Sequence, residues 1–313
     1  MSTTIESGKP PAIRRKPILG PYQRTPEWYA LRKEVFGASE AAAICGLSDY
    51  RQPLDVYLDK VGGEQREETE AMTIGRFVEP AILGLYCDRT GRDVTAPVPL
   101  YRHPGLPYIA ASLDGHRADG APVEAKWSMN PRAAEQLGEE GSDWIPNDWL
   151  FQVQQQMDVV DARQADVAVL LFGRLKVYTV EYNGDLIDAI HVAAKEMHER
   201  VQRRDPPPVN CEHTSAIKAL QRAYPAVVDT SIVLPSSGDV FQAAHDCISM
   251  GEAIKAGEKV RDKAKARILA AMGEASSARL PGTDQEFYRL PIGESEVAYT
   301  RKAHIQLRRR KAK

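Results

Sequence analysis

Three consecutive prolines at residues 206–208 constrain the fold of this chain more than any other feature. Proline fixes its φ angle and has no backbone N–H, so no helix or central strand continues through all three. The chain of 313 residues is therefore expected to divide at this point. We predict a flexible, proline-rich leader at residues 1–24, a main domain at residues 25–205 and a C-terminal extension at residues 209–313.

Hydrophobic periodicity in the main domain predicts helices at both ends and strands in the middle. The expected helices span residues 28–35, 39–45, 53–61, 72–90, 146–160 and 186–203. The expected strands span residues 94–102, 108–113, 123–127, 165–172 and 175–182. This mixture predicts the α/β (α+β) fold class.

The C-terminal extension is predicted to be mainly helical, with helices at 214–224 and 239–275 and strands at 278–290 and 294–300. Apolar residues along the second helix follow three- and four-residue spacing: Cys247, Met250, Ile254, Ala264, Ile268 and Met272. Such a stripe most often packs on the rest of the fold, and a partner-helix site is the alternative. The tail at 300–313 holds seven basic residues and no acidic one. It is expected either to contact DNA phosphates or to be a solvated end.

The composition is that of an ordinary globular protein, with 43% hydrophobic and 27% charged residues and a net charge of -2. No apolar run approaches the ~20 residues that a membrane span needs, and the leader has no signal-peptide core. We therefore expect a cytoplasmic protein with no membrane contact. The four cysteines form no CxxC pair, which argues against a zinc or iron–sulfur site and predicts reduced, buried thiols.

Glu124 and Lys126 are the first candidates for chemistry, because side chains two residues apart on a strand share one face. Asp114 follows the strand at 108–113, in the turn dipeptide with Gly115. If the strands on either side of that turn are adjacent and antiparallel, Asp114 and Glu124 converge.

Two converging carboxylates are the ligands that Mg²⁺ prefers, with the backbone carbonyl of Ala125 as a further ligand. Lys126 would then stand beside the attacking water and the phosphoryl oxygens, which suits phosphodiester hydrolysis. We expect Mg²⁺ as cofactor, with Mn²⁺ as a substitute. A Glu-x-Lys pair on a strand is more often an exposed salt bridge, so the tripeptide alone is a weak signal.

Two neighbouring helices strengthen the signal. Glu79 lies in the middle of a predicted helix among apolar residues, where a carboxylate needs a partner. A salt bridge or a helix cap is the alternative explanation for Glu79. Gln152 lies on the helix that follows the strand of Glu124.

Five motifs, in this order and spacing, resemble the YqaJ-type viral recombinases, which are phage nucleases similar to lambda exonuclease. They are Gly37-Ala38-Ser39-Glu40, Gly75-Arg76-Phe77-Val78-Glu79-Pro80, Ser112-Leu113-Asp114-Gly115, Val123-Glu124-Ala125-Lys126-Trp127 and Gln152-Val153-Gln154-Gln155-Gln156-Met157. The resemblance covers residues 28–203. It implies a PD-(D/E)XK, restriction-endonuclease-like core with a central mixed β-sheet flanked by helices.

The same resemblance implies a role for each side chain of the centre. Asp114 and Glu124 become the metal ligands and Lys126 the catalytic lysine. Glu79 helps to hold the metal-bound water, and Gln152 helps to position the other groups.

Arg32 and Ser39 match positions that bind the 5′-phosphate of a DNA end. One departure is Leu113, which stands where the family usually has a proline. That proline shapes a turn and does no chemistry, so activity is expected to survive the change.

The resemblance implies a 5′-3′ exonuclease of phage recombination that resects double-stranded DNA ends to 3′ overhangs. It also implies a single-strand-annealing partner, a ring-shaped homotrimer and a phage or prophage origin in a bacterial host cell. Polarity and ring come from the resemblance alone. Two alternatives stay open: a structure-specific endonuclease or resolvase on the same fold, and an inactive DNA-binding or assembly module.

Overall fold

The computed structural model describes residues 16–62, 69–129, 131–226, 229 and 231–290. Most of the predicted leader, the predicted strand at 294–300 and the basic tail at 300–313 lie outside these residues. The chain forms two compact units, Met1–Pro225 and Ala226–Lys313. The predicted domain boundaries stay a prediction.

The first unit contains helices close to the predicted ones. They are α1 (Pro26–Glu34), a 3₁₀ turn (Ala38–Glu40), α2 (Ala41–Ile44), α3 (Pro53–Val61), α4 (Glu70–Thr90), α5 (Pro131–Glu135), α6 (Asn147–Val160), α7 (Gly184–Arg203) and α8 (Ala216–Ala223). Local chemistry explains their ends. The Thr25 hydroxyl accepts from the Trp28 N–H at the start of α1, with Pro26 in the first turn. Gly91 ends α4 in the left-handed conformation.

The strands of the first unit form two sheets. They are β1 (Ile18–Tyr22), β2 (Phe36–Gly37), β3 (Val94–Thr95), β4 (Pro99–Arg102), β5 (Ile109–Ala111), β6 (Gly115–Arg117), β7 (Pro122–Ser128), β8 (Gln164–Leu171) and β9 (Arg174–Glu181). The four-stranded sheet has the order β1-β4-β5-β2 and the five-stranded sheet the order β3-β6-β7-β8-β9. The pairs β2–β5 and β7–β8 are parallel and the others antiparallel. The predicted fold class, with a central mixed sheet flanked by helices, is confirmed.

The predicted pairing of the two strands around Asp114 is wrong. Residues 108–113 contribute β5, which lies in the four-stranded sheet, whereas Glu124 lies on β7 in the other sheet. The short strand β6, which the sequence pattern does not predict, pairs with β7 in the register Gly115↔Val123. Asp114 therefore lies at the crossing from one sheet to the other, and it still reaches β7.

The sequence predicts a turn at Gly115, but this residue begins β6 and does not have a positive φ angle. A Cβ at this position would lie 2.4 Å from the Val94 Cγ1 atom and 3.2 Å from the Thr95 carbonyl oxygen. The close approach of β3 therefore requires glycine here. The second predicted turn glycine, Gly120, does adopt a positive φ of 85°.

The predicted apolar face of α4 is only partly buried. Ile82 and Tyr86 are buried against β7 and β8, but Ile74 and Leu85 are 38% and 45% exposed. Helix α4 meets the sheet through its C-terminal half, so periodicity alone overstated the packed length.

The second unit is mainly helical, as predicted, with α9 (Asp239–Met272) and an antiparallel hairpin of β10 (Ser277–Arg279) and β11 (Glu286–Tyr288). Of the predicted apolar stripe, Met272 is buried, but Met250 and Ile254 are about three-fifths exposed at 60% and 62%. No described residue covers that part of the stripe. Within the described residues, no helix combines the length and apolar character needed to cross a bilayer.

All four cysteines are free thiols, but the prediction that they are buried is only partly correct. Cys45 and Cys87 are half-buried, whereas Cys211 and Cys247 are exposed. The exposed pair, Cys211 and Cys247, follows the triple proline in sequence.

A pair of glycine substitutions tests the packing around Asp114. Gly115→Ala forces a methyl group against Val94 and is expected to lower the free energy of unfolding by about 1–3 kcal/mol, as overpacking does. Gly84→Ala, on an exposed helical position with no atom within 4 Å of the new Cβ, is expected to raise it by about 0.5–1 kcal/mol. Urea denaturation measures both. Equal effects of the two changes would contradict the close approach of β3.

Candidate active site

Four structural elements bring the predicted residues together. The Asp114 carboxylate, between β5 and β6, accepts a 2.8 Å hydrogen bond from the Ala125 N–H on β7. The Lys126 ammonium, on the same strand, donates to Glu124 Oε1 at 2.7 Å and to Gln152 Oε1 on α6 at 2.8 Å. The convergence of Asp114 with the Glu124-Ala125-Lys126 strand is present, although its cause is β6 and not a β5–β7 pair.

Glu124 is the most closely held of these side chains. It is 3% exposed and accepts hydrogen bonds on both carboxylate oxygens. Lys126 and the Gln152 side-chain amide donate to Oε1, the latter at 2.6 Å, and the Gln156 amide donates to Oε2 at 2.6 Å. Because a carboxylate has about four lone-pair sites, these bonds orient Glu124 and leave acceptor capacity for a cation.

Gln156 is a site residue to which the sequence analysis gave no role. It is fully buried and also donates to the Ser112 carbonyl oxygen at 3.1 Å. The sequence does contain a signal for Gln156, because it follows Gln152 by four residues and such residues share one face of a helix. Its Oε1 atom has no hydrogen-bond partner among the described residues.

The carboxylates repel one another, and this repulsion indicates what the site can bind. Burial, followed by the negative charges of Glu124 and Glu79, holds the pKa of Asp114 well above its usual value of 3.8. Burial and the charge of Glu124 also raise the pKa of Glu79, against the opposing effect of Arg24 and Lys126. Three carboxylates whose charges act on one another are a donor set suited to a hard divalent cation such as Mg²⁺.

Glu79 has a salt-bridge partner that the sequence did not reveal. Arg24 Nη2 lies 3.4 Å from Glu79 Oε2, and the Glu79 side chain is 24% exposed. The salt bridge offered above as an alternative explanation is therefore present. The charges of Glu124 and Lys126 also act on the pKa of Glu79, so this carboxylate lies within electrostatic range of the candidate site.

Arg32 and Ser39 lie side by side at a second cluster. The Arg32 guanidinium donates to the Ser39 hydroxyl at 3.4 Å and lies 4.9 Å from the centroid of the Trp28 ring. The Trp28 indole N–H donates to the Ser112 hydroxyl at 3.0 Å. Among the described residues no direct hydrogen bond joins Arg32 or Ser39 to Asp114, and the connection runs through Trp28 and Ser112.

A buried ion pair fixes the backbone of this second cluster. The Lys60 ammonium donates to Glu40 Oε2 at 2.7 Å, and it also donates to the carbonyl oxygens of Arg32 and Val35. Glu40 Oε2 in turn accepts from the Gly37 N–H at 2.9 Å. Both charged side chains are 4% exposed. The segment that carries Ser39 is thereby joined to the end of α1.

The packing of Leu113 accounts for a leucine at the position where the family usually has a proline. It is 1% exposed and packs in the core with Ile109 and Val98, while its carbonyl oxygen accepts from the Gln23 amide at 3.0 Å. A bulky apolar side chain therefore fills a core position immediately before Asp114.

A separate group of possible metal ligands lies at the other end of α6, where Asp158 Oδ2 is 2.7 Å from His191 Nε2 and 3.5 Å from His103 Nε2. His103 Nδ1 faces the N–H groups of Gly105 and Leu106 at 3.1 and 2.8 Å. Nδ1 is therefore the acceptor, and the ring proton lies on Nε2, directed at Asp158. A histidine that binds a metal through one ring nitrogen usually donates a hydrogen bond from the other. His103 instead accepts on Nδ1, which is typical of a hydrogen-bonded cluster.

Residues 27–163 match the family model of the YqaJ-like viral recombinase domain. The predicted resemblance is confirmed for this segment. The uncharacterized protein YqaJ of Bacillus subtilis (strain 168) is 30% identical over 176 residues, which are 54% of this chain and 54% of that protein. The matched region thus spans about half the length of this relative.

Two solved structures are also similar to this chain. The alkaline exonuclease LHK-Exo from Laribacter hongkongensis has 23% identity and a TM-score of 0.49, covering 58% of this chain and 94% of that one. A phage-related exonuclease from Haemophilus somnus 129PT has 14% identity and a TM-score of 0.43, covering 54% of this chain and 96% of that one.

The charge of Asp114 predicts a pH-dependent stability. Because the pKa of Asp114 is raised in the folded protein, the metal-free protein loses stability as pH rises through that raised pKa. Asp114→Asn removes the charge and is expected to raise the melting temperature in EDTA at alkaline pH by about 2–4 °C for each ~1 kcal/mol relieved. The gain is expected to vanish as pH falls towards the usual value of 3.8.

The matched control for this experiment is Asp88→Asn, on the exposed surface of α4. It is expected to leave the pH dependence of melting unchanged. Adding Mg²⁺ is expected to stabilise the wild type and the control, but not Asp114→Asn. A variant that melts below the wild type at every pH would contradict the repulsion described here.

Proposed function

We propose that this chain is a Mg²⁺-dependent deoxyribonuclease that resects linear double-stranded DNA from its 5′ ends. The observation that carries the proposal is the hydrogen-bonded group of Asp114, Glu124, Lys126 and Gln152 within the segment that matches the YqaJ-like viral recombinase domain. The chain's residue types and contacts support phosphodiester hydrolysis, and the polarity of digestion comes from the family resemblance.

Asp114 and Glu124 are proposed as the side chains that hold the cation, with the Ala125 carbonyl as a backbone ligand. When bound, Mg²⁺ supplies positive charge that polarises the scissile phosphate and lowers the pKa of the attacking water. Mn²⁺ is proposed to substitute. Glu79 accepts a proton or a hydrogen bond from that water, and its raised pKa suits a group that exchanges protons.

Lys126 and Gln152 are proposed to act as a pair. The Gln152 side-chain amide accepts a hydrogen bond from the Lys126 ammonium and donates one to Glu124. This single amide therefore sets the distance between the ammonium of Lys126 and the carboxylate of Glu124. The ammonium is thereby directed into the pocket, where it orients the water and stabilises charge on the phosphoryl oxygens.

Arg32 and Ser39 are proposed to bind the 5′-phosphate of the DNA end. A guanidinium and a hydroxyl within hydrogen-bond distance offer several donors to one phosphate, and stacking on Trp28 fixes the guanidinium plane. The connection from Trp28 to Ser112 relates this phosphate site to the strand that leads to Asp114.

The biological setting belongs to the same proposal. A nuclease of this kind would act in phage recombination in the cytoplasm of a bacterial host and leave 3′ overhangs for a single-strand-annealing protein. A ring-shaped homotrimer would hold the duplex during successive cleavages.

Cleavage of two DNA forms tests the proposed reaction. With Mg²⁺, the wild type is expected to degrade 5′-phosphorylated linear duplex and to leave covalently closed circles intact. Asp114→Ala is expected to abolish cleavage, and Lys126→Ala to lower the rate by about 10²–10³-fold, as the loss of a transition-state donor does. Lys195→Ala, on an exposed position of α7, is the matched control and should retain wild-type activity. Nicking of closed circles would indicate an endonuclease, and an inert wild type would indicate a binding module.

Arg32→Ala tests the phosphate site separately. Wild type is expected to prefer 5′-phosphorylated over 5′-hydroxyl duplex, and the variant is expected to lose this preference while still cleaving. Arg163→Ala is the matched control, because Arg163 also lies over an aromatic ring, 4.8 Å from the centroid of Tyr182. Initial rates on the two end types measure the preference. Equal rates with wild type would contradict the role of Arg32.

A further inference from the structure

Helix α9 carries a regular row of basic side chains outside the site described above. Lys255, Lys259, Lys263 and Arg267 recur at every fourth residue, and all four are exposed. At a rise of about 1.5 Å per residue, this basic row extends for about 18 Å along one side of the helix. The row is defined by these four residues.

The members of the basic row have no acidic partner among the described residues, unlike the arginines of α7. Arg200 and Arg203 each pair with a glutamate four residues earlier, Glu196 and Glu199. In α9 the residue four positions later is another cation, three times in succession. Glu258 and Asp262 follow Lys255 and Lys259 by three residues without forming an ion pair with them among the described residues. Like charges at this spacing destabilise a helix, so the row gains stability when a polyanion covers it.

We propose that the basic row of α9 binds the sugar–phosphate backbone of DNA as a second contact surface. This inference rests on the proposed function, because it makes the substrate of the nuclease site the ligand of the row. Evenly spaced cations along a helix suit a polyanion such as duplex DNA, which presents about one charge per 1.7 Å, and neutralisation of its phosphates releases counterions. The row contacts phosphates and therefore adds affinity without sequence preference.

The surface belongs to the second unit, whereas the proposed catalytic residues belong to the first. Its contribution is to keep the DNA associated between cleavages. Exposed apolar residues of the same helix include Met250 and Ile254 before the row, Val260 within its length and Leu269 after it. An acidic protein partner or a second copy of the chain would be the competing occupant, and the test below separates these from DNA.

Two double substitutions in the full chain test the row with matched charges. Lys259→Gln with Lys263→Gln removes two members of the row, and Arg261→Gln with Lys265→Gln removes two cations from the opposite side of the same helix. Binding to a fluorescent duplex is measured in EDTA over a range of salt concentrations. The first variant is expected to flatten the slope of log affinity against log salt by about 1.8, which is two phosphate contacts. The second is expected to keep the wild-type slope.

Cleavage by saturating enzyme in a single turnover keeps this test independent of the proposed function. Both variants are expected to retain the wild-type single-turnover cleavage rate. On long duplex, only the first variant is expected to remove fewer nucleotides per binding event. Equal slopes for both variants and the wild type, or equal flattening in both variants, would overturn the proposal. So would a change in oligomeric mass of the first variant with an unchanged salt slope. If the wild type fails to cleave at all, the proposed function fails, and the slopes still decide whether the row binds DNA.

Discussion

The buried glutamines of α6 join the two sheets of the first unit, and the geometry of the candidate site depends on that junction. The Gln155 amide donates to the carbonyl oxygens of Phe36 and Ala110 at 3.0 and 2.9 Å, which lie on neighbouring strands of the four-stranded sheet. Gln156, one residue later, donates to the Ser112 carbonyl and to Glu124. Leaving such buried acceptors without donors costs about 1–3 kcal/mol each, so α6 has a defined position between the sheets.

This junction also holds Glu124 in place against the repulsion between the carboxylates of the candidate site. Asp114, Glu124 and Glu79 are held close enough for their charges to raise two pKa values, a state that costs folding free energy without a cation. The amides of Gln152 and Gln156 orient Glu124 without adding charge. The protein thus keeps the carboxylates crowded, as a cation site requires, and neutral donors prevent the cluster from rearranging.

The residues of the candidate site could be picked out from the sequence because residue types and short spacings mark them. Glu124 and Lys126 share a strand face, and the resemblance placed Glu79 and Gln152 nearby. The tertiary contacts of these residues were harder to predict from the sequence. The crossing at Asp114 depends on β6, a strand of three residues that is too short to show a hydrophobic period. It also depends on Gly115, where a larger side chain would meet Val94 on another strand. The partial burial of α4 likewise depends on where the sheet ends.

A time course on duplex DNA that carries different labels at the 5′ and 3′ ends of one strand tests the central claim most directly. With Mg²⁺, the 5′ label is expected to appear in mononucleotides at once while the 3′ label stays in long, gradually shortening strands. EDTA should stop both processes. Simultaneous release of both labels, or undiminished release by Asp114→Ala, would contradict the assignment of Asp114 and the Glu124-Ala125-Lys126 strand as a metal-dependent exonuclease site.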